Sequence, residues 1–175
     1  MIKIQREHDE PIELNVESLK GIKLKGFCFH RCLLNELDFR GSELSNVDFR
    51  SAELNNTLCN DSLLKEARLI MVNAKESFFE NCNFESALIL HSNFNNSKFN
   101  GSNFKNATIK NVDFTGCDLR GVCFDCEGLE TCIFTNALYD DKTSWKGNFT
   151  LDEFGAIKIE SDEKIHEKYR LGKIK

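Results

Sequence analysis

The chain has 175 residues, a formal net charge of −5 and a sequence pI of about 5.5. Hydrophobic residues make up 41% and charged residues 29%, a composition typical of a soluble folded domain that excludes a disordered tail. No run reaches the roughly 18 apolar residues of a membrane helix, and residues 1–10 lack the apolar stretch of a signal peptide. We therefore expect a cytoplasmic protein whose eight cysteines are reduced thiols.

A five-residue repeat runs from residue 22 to residue 141, after a first segment (1–21) in which Leu14 and Leu19 continue it weakly. Every fifth residue from Leu24 to Tyr139 is Phe, Leu or Ile at 21 of 24 positions, and this column holds 11 of the 15 Phe. The residue two places earlier is small at 20 of 24 positions, and the residue two places later is often Gly or Asn.

These columns predict a chain that bends after every unit. Residues two apart in an extended chain point to the same side, so the small and the large residue of each unit share an inward face. Because five is an odd number, a straight strand would turn the next large residue outward. The Gly/Asn column marks the bend that prevents this.

The repeated motif resembles that of the pentapeptide-repeat family, for example at 97–101 (Ser-Lys-Phe-Asn-Gly) and 112–116 (Val-Asp-Phe-Thr-Gly). The resemblance implies an all-β fold: a right-handed quadrilateral β-helix, or solenoid, with four repeats per coil. On that basis residues 22–141 form about six coils, and the ends of such a stack need caps. We expect an N-terminal cap over 1–21 and a C-terminal cap with a charged tail over 142–175.

Three residues depart from the repeat and predict local changes. Cys59 and Ala74 are small in the large column, so we expect a wider or deformed coil over 57–77. Glu127 is charged in the small column, so we expect a corner there that turns its carboxylate outward. Residues 150–154 are expected to begin a short C-terminal helix, with Trp145 covering the last coil.

Cys123 and Cys126 form a C-x-x-C motif flanked by Cys117 and Cys132, which is one pattern that binds zinc. The repeat argues against it, because Cys117 and Cys132 point inward, Cys123 points outward and Cys126 sits at a corner. The four histidines make no metal pair or triad, and no phosphate-binding loop occurs. We therefore predict no catalytic residue, no metal, no cofactor and no enzymatic activity.

Negative charge gathers at the end of the repeats, where residues 113–141 carry a net charge of −6. Some members of the family mimic DNA and bind gyrase, so an acidic surface is a candidate site for a type II topoisomerase. The alternative is a solvated acidic end, which we favour because the charge is local. The candidate residues are Asp113, Asp118, Asp125, Glu127, Glu130, Asp140 and Asp141.

Large apolar residues also occupy outward or corner positions between residues 58 and 90. With four repeats per coil, Leu58 lies beneath Phe78 and Ile70 beneath Leu90. Two interpretations remain open: a contact surface, with a homodimer as the simplest partner, or a local distortion that turns some of these residues inward. The candidate interface residues are Leu58, Ile70, Met71, Phe78, Leu88 and Leu90.

The sequence thus favours a non-catalytic protein that acts through protein–protein interaction and associates with itself, with no direct binding to nucleic acid or membrane. The alternative function is a DNA mimic, similar to quinolone-resistance proteins, that binds DNA gyrase or another type II topoisomerase. The sequence does not name the partner.

Overall fold

The structure, a computed structural model, describes residues 1–160. Its regular elements are short strands and two 3-10 helices, and no helix in this part of the chain has the length and apolarity to cross a membrane. The strands are β1 (Ile2–Ile4), β2 (Ile12–Leu14), β3 (Arg68–Ile70), β4 (Leu88–Leu90), β5 (Thr108–Lys110), β6 (Cys123–Phe124), β7 (Leu138–Tyr139), β8 (Ser144–Trp145) and β9 (Ile157–Lys158). The 3-10 helices span Leu129–Thr131 and Leu151–Phe154.

The chain winds into a coil in which each segment pairs in parallel with the segment four repeats further on. Strands β3, β4 and β5 form one sheet in this way, and isolated bridges continue the pattern from Lys23–Glu43 to Asp118–Leu138. Four bridged segments make up each turn, and φ is positive at the residue that ends nearly every segment, as at Gly41 and Asn46. The predicted repeat β-helix is thereby confirmed in its general architecture.

Each turn of the coil presents four sides, and two of them carry the candidate interface residues. We call face two the side centred on Cys28, Asp48, Arg68, Leu88, Thr108 and Glu127. We call face four the side centred on Asp38, Leu58, Phe78, Lys98, Asp118 and Leu138.

The large residues fill the interior in columns that run along the coil axis. Phe79, Phe99 and Phe104 are at most 1% exposed, and rings in successive coils stack on each other. The Phe79 and Phe99 centroids lie 5.1 Å apart, and those of Phe84 and Phe104 lie 4.7 Å apart with nearly parallel rings. Each such pair adds about 0.5–1.5 kcal/mol to the stabilisation from burial. This stacking explains why the sequence uses Phe rather than Tyr in the inward column.

The small column includes serines that are buried and fully hydrogen-bonded. The Ser62 hydroxyl donates to the carbonyl of Phe39 (2.7 Å) and accepts from the backbone N–H of Ser42 (3.3 Å). Ser77 repeats the arrangement with Leu54 and Thr57 on another side of the coil. A buried hydroxyl without a partner would destabilise the fold, so these bonds between coils make Ser acceptable inside.

The expected distortion over 57–77 is absent, and that prediction is wrong. Leu58 pairs with Phe78 and Arg68 with Leu88 at the normal spacing of one coil, and Cys59 and Ala74 are both fully buried. The equivalents of both residues in the neighbouring coils are large. Cys59 is followed one coil later by Phe79 in the same inward column. Ala74 lies between Leu54, one coil before it, and Phe94, one coil after it.

The repeat slips at Cys126 rather than running without interruption. Thr108 pairs with Glu127, one position short of the usual spacing, and the next bridge, Asp113–Ile133, returns to that spacing. Cys126 therefore takes the inward position and is 8% exposed, which corrects its expected place at a corner. Glu127 is exposed, as predicted, and the 3-10 helix Leu129–Thr131 restores the spacing.

Both ends of the coil carry segments that lack the repeat. Strands β1 and β2 form an antiparallel hairpin, and Ile4 at the end of β1 is buried in the core. Arg6, in the loop between these strands, forms an antiparallel bridge with Cys32. At the other end β8 pairs with β6 and β9 with β7, so residues 144–158 add strands beyond the last repeat. The short helix expected at 150–154 is present as Leu151–Phe154, whereas the tail after residue 160 lies outside the described residues.

Replacing Gly128 by alanine tests the packing at the slip. Gly128 has φ of 91°, and an added Cβ would lie 2.5 Å from the carbonyl oxygen of Ile109. Gly41 has φ of 69° with nothing within 4 Å of such an atom. We expect Gly41→Ala to lower the free energy of unfolding by about 1 kcal/mol and Gly128→Ala by more than about 3 kcal/mol, measured by urea titration. Equal losses would contradict tight packing at residue 128.

Candidate interaction surfaces

The outward apolar residues between 58 and 90 form two separate patches rather than one. Leu58 and Phe78 belong to face four, whereas Ile70, Leu88 and Leu90 belong to face two. Two repeats are half of a four-repeat turn, so the patches lie on opposite sides of the coil. The expectation of a single 58–90 surface is therefore wrong, because the coil separates residues that are close in sequence.

The face-two patch lies on the only three-stranded sheet formed within residues 1–160. Ile70, Leu88 and Leu90 are half-buried against each other, and the Met71 side chain at the adjoining corner is 64% exposed. Arg68 below the leucines and Lys110 above them are both exposed. Regular bridges run through this region, so no distortion turns these apolar side chains inward.

The face-four patch consists of Leu58 and Phe78, both half-buried, between two charged residues. Lys98 lies one coil beyond Phe78, with its ammonium nitrogen 5.2 Å from the ring centroid, a cation–π contact. Asp38 lies one coil before Leu58 and accepts hydrogen bonds from Arg40 at 2.9 Å and 2.6 Å. That bonding holds the Asp38 pKa below its usual value. Sequence reasoning missed both charged residues, although the period of one coil places them beside the patch.

The acidic candidates are spread over several sides of the coil and most have partners. Asp118 is paired with Arg120, Asp125 with Lys146 (2.7 Å) and Asp141 with Lys158 (2.8 Å). Burial opposes ionisation of Asp118, but hydrogen bonds from Arg120 and Asn100 outweigh it and keep its pKa below the usual value. The remaining carboxylates do not form a strip. Asp113 is on another side and accepts from the Thr115 N–H, and Glu127 and Glu130 are exposed near the slip.

Asp140 does not belong to the acidic surface, contrary to the expectation from the sequence. It is 8% exposed, and its Oδ1 accepts hydrogen bonds from the backbone N–H groups of Gly121 (2.9 Å), Lys142 (3.1 Å) and Thr143 (3.1 Å). The carboxylate thereby closes the turn after the last repeat and ties it to the previous coil. Its role in the structure is to satisfy buried backbone donors.

The cysteines are free thiols, most of them buried. Burial raises the pKa of Cys82, Cys117 and Cys126 to about 12 and that of Cys32 to about 11. The thiolate, which is the reactive and metal-binding form, is therefore scarce at neutral pH at these positions. Within residues 1–160 no three His, Cys, Asp or Glu side chains are grouped so that they could hold a metal ion.

The comparisons with known proteins agree with this architecture. The family model for pentapeptide repeats matches residues 28–58 and 91–125 with eight copies. Among curated proteins no match was found. A solved pentapeptide repeat protein, alr5209 from Nostoc PCC 7120, is 21% identical with a TM-score of 0.51, and the match covers 64% of this chain and 84% of that one. The family model thus confirms pentapeptide repeats over residues 28–58 and 91–125, as the sequence predicted.

Two further solved structures are similar at lower TM-scores. A pentapeptide repeat protein of the Arabidopsis thaliana thylakoid lumen is 23% identical with a TM-score of 0.41, covering 68% of this chain and 69% of that one. QnrB1, a plasmid-mediated fluoroquinolone resistance protein, is 15% identical with a TM-score of 0.45, covering 92% and 93%. These similarities concern the fold only.

Labelling with a thiol reagent tests the placement of the cysteines. Cys28 is exposed and Cys123 is half-buried, whereas the other six are buried. We expect the native protein at pH 8 to react rapidly at Cys28, more slowly at Cys123 and not measurably at the rest until urea is added. Cys28→Ser should remove the fast phase, followed by absorbance with Ellman's reagent. Rapid reaction of four or more thiols in the native protein would contradict the buried columns.

Proposed function

We propose that this protein is non-catalytic and cytoplasmic, that it acts through protein–protein contacts on the sides of the coil, and that it associates with itself. The proposal uses a right-handed coil of about six turns over 22–141, between an N-terminal cap at 1–21 and a C-terminal cap at 142–175. One observation carries it: the interior is filled by stacked side chains, while large apolar side chains remain on the outside of the coil, as at Leu58, Phe78, Leu88 and Leu90. Outward apolar patches on a filled scaffold favour binding to another protein.

The arrangement of polar side chains supports a non-catalytic role. The Ser and Thr hydroxyls of the small column are engaged in bonds between coils, and the buried thiols are held protonated. A nucleophile needs a neighbouring base within hydrogen-bond reach and a concave site for its substrate. The groups that could serve as nucleophiles inside this coil are already used to connect one turn to the next.

The charge pattern gives less support to DNA mimicry, the alternative function. DNA carries negative charge along its whole length, so a mimic needs unpaired carboxylates along one side of the rod. Here Asp118, Asp125 and Asp141 are paired with basic residues, and Asp140 is buried. The repeats before residue 113 carry no such excess of acid.

A light-scattering measurement tests self-association. We expect the wild-type protein to have the mass of a dimer at tens of micromolar and the Phe78→Asp, Leu90→Asp double variant to have that of a monomer. The reason is that a carboxylate in a contact surface loses its hydration when the surface is buried. Leu63→Asp is the matched control, since Leu63 is 42% exposed on a third side of the coil and should leave the dimer intact. A monomeric wild type would refute the proposal.

A supercoiling assay with purified gyrase tests the alternative. We expect neither inhibition nor protection from a quinolone at micromolar concentrations of the protein, because Asp118, Asp125 and Asp141 are paired with basic residues and Asp140 is buried. Inhibition that is lost in a Glu127→Gln, Glu130→Gln variant would support mimicry instead. That variant removes two exposed carboxylates and no ion pair seen in the described part of the chain.

A further inference from the structure

The outward side chains of face four are arranged so that part of the row is complementary to the same row running in the opposite direction. Face four ends in Asp118 and Leu138, and the four outward side chains before them are Asp38, Leu58, Phe78 and Lys98, one per coil and about 4.8 Å apart. An acidic residue stands at one end, a basic residue at the other and two apolar residues between them. When this row is turned upside down, each apolar residue meets the other, and the acidic residue meets the basic one.

We propose that face four binds face four of a second copy of this chain, with the two coils antiparallel. The two-fold axis lies between Leu58 and Phe78, so that Leu58 of each copy contacts Phe78 of the other. Asp38 of each copy then pairs with Lys98 of the other, and every contact occurs twice. The inference rests on the proposed self-association and names its surface and geometry.

The neighbouring row of side chains obeys the same reversal. Arg40, Asn60, Glu80 and Asn100 lie two positions after the members of the first row. About the same axis Asn60 of one copy faces Glu80 of the other, and Arg40 faces Asn100. Asn60 already donates to Glu80 within one chain (2.7 Å), and Asn100 and Arg40 likewise offer hydrogen-bonding groups. Within these four coils no pair of like charges meets across the axis in either row.

The charged ends of face four are already held in place in the single chain. Arg40 orients the Asp38 carboxylate through two hydrogen bonds, and Phe78 fixes the ammonium group of Lys98. Side chains that are positioned before binding lose less conformational freedom when the second copy arrives. A specific interface buries at least about 1,000 Å² in total, and we expect a contact of four coils to lie near this lower limit and to give a micromolar dimer.

Face two does not have this property, which distinguishes the two patches. The same operation centred between Ile70 and Leu90 would place Arg50 of one copy opposite Lys110 of the other. Like charges in such a position oppose pairing. The apolar residues of face two are therefore not assigned to the contact between copies.

Charge reversal at the two ends of the row tests the proposal. Asp38 and Lys98 are three coils apart in one chain, about 14 Å, and do not pair within it. We expect Asp38→Lys alone and Lys98→Glu alone to raise the dimer dissociation constant about 25-fold each. The loss of one charge pair raises this constant roughly fivefold, and every pair occurs twice in the dimer. The double variant should return to within about threefold of the wild type, as measured by analytical ultracentrifugation at low salt.

Mixing the two single variants gives a sharper result. An equimolar mixture of Asp38→Lys and Lys98→Glu has opposite charges at both ends only in the mixed dimer, which native mass spectrometry detects by mass. We expect mixed dimers at concentrations where each variant alone is monomeric. Circular dichroism of each variant confirms that the coil is intact, and Leu90→Asp on face two serves as the control that keeps the dimer.

The outcomes separate this inference from the proposed function. A wild-type protein that is monomeric at 200 micromolar overturns both, because this concentration is about 100-fold above the expected dissociation constant of the dimer. A wild-type dimer that is lost in Phe78→Asp but not restored by the double reversal overturns the antiparallel geometry and leaves self-association standing. A dimer that is lost in Leu90→Asp and kept in Phe78→Asp assigns the contact to face two and overturns the inference.

Discussion

The packing of each inward side chain on its equivalent in the next coil is the constraint on which the rest of the structure depends. The backbone of every coil pairs with the next, so a side chain must fit the space left by its equivalents above and below. Phe stacks on Phe at Phe84 and Phe104, and Ser hydroxyls bridge to the carbonyls of the previous coil at Ser62 and Ser77. Apolar stacking and satisfied polar groups thus come from one geometric repeat.

The same constraint explains how the coil tolerates exceptions. Cys59 and Ala74 fill less volume than Phe or Leu would, yet both are buried and the bridges around them keep the normal spacing. Glu127 could not be absorbed in this way, because a carboxylate inside would lose its hydration without a partner. The chain instead slips by one position, which places Cys126 inside and Glu127 outside, and a 3-10 helix restores the spacing.

The outer surface depends on the period of the whole coil rather than on the five-residue period. Residues one repeat apart point to different sides, and residues two repeats apart point to opposite sides, so an apolar cluster in the sequence need not be a patch on the molecule. Leu58 and Phe78 share a face with Asp38, one coil before them, and Lys98, one coil after. The proposed antiparallel contact follows from the order of charges along this axis.

The sequence alone determined the repeat, the inward column from Leu24 to Tyr139, the bends and the family, because these follow from local periodicity and steric rules. It also determined that Glu127 points outward, since a charge is excluded from the core. Only the tertiary structure decided how the two apolar patches are separated, where the slip lies and that Asp140 is buried. These features depend on how one coil sits on the next, and the five-residue pattern alone does not set the number of repeats in a coil or the place where that number changes.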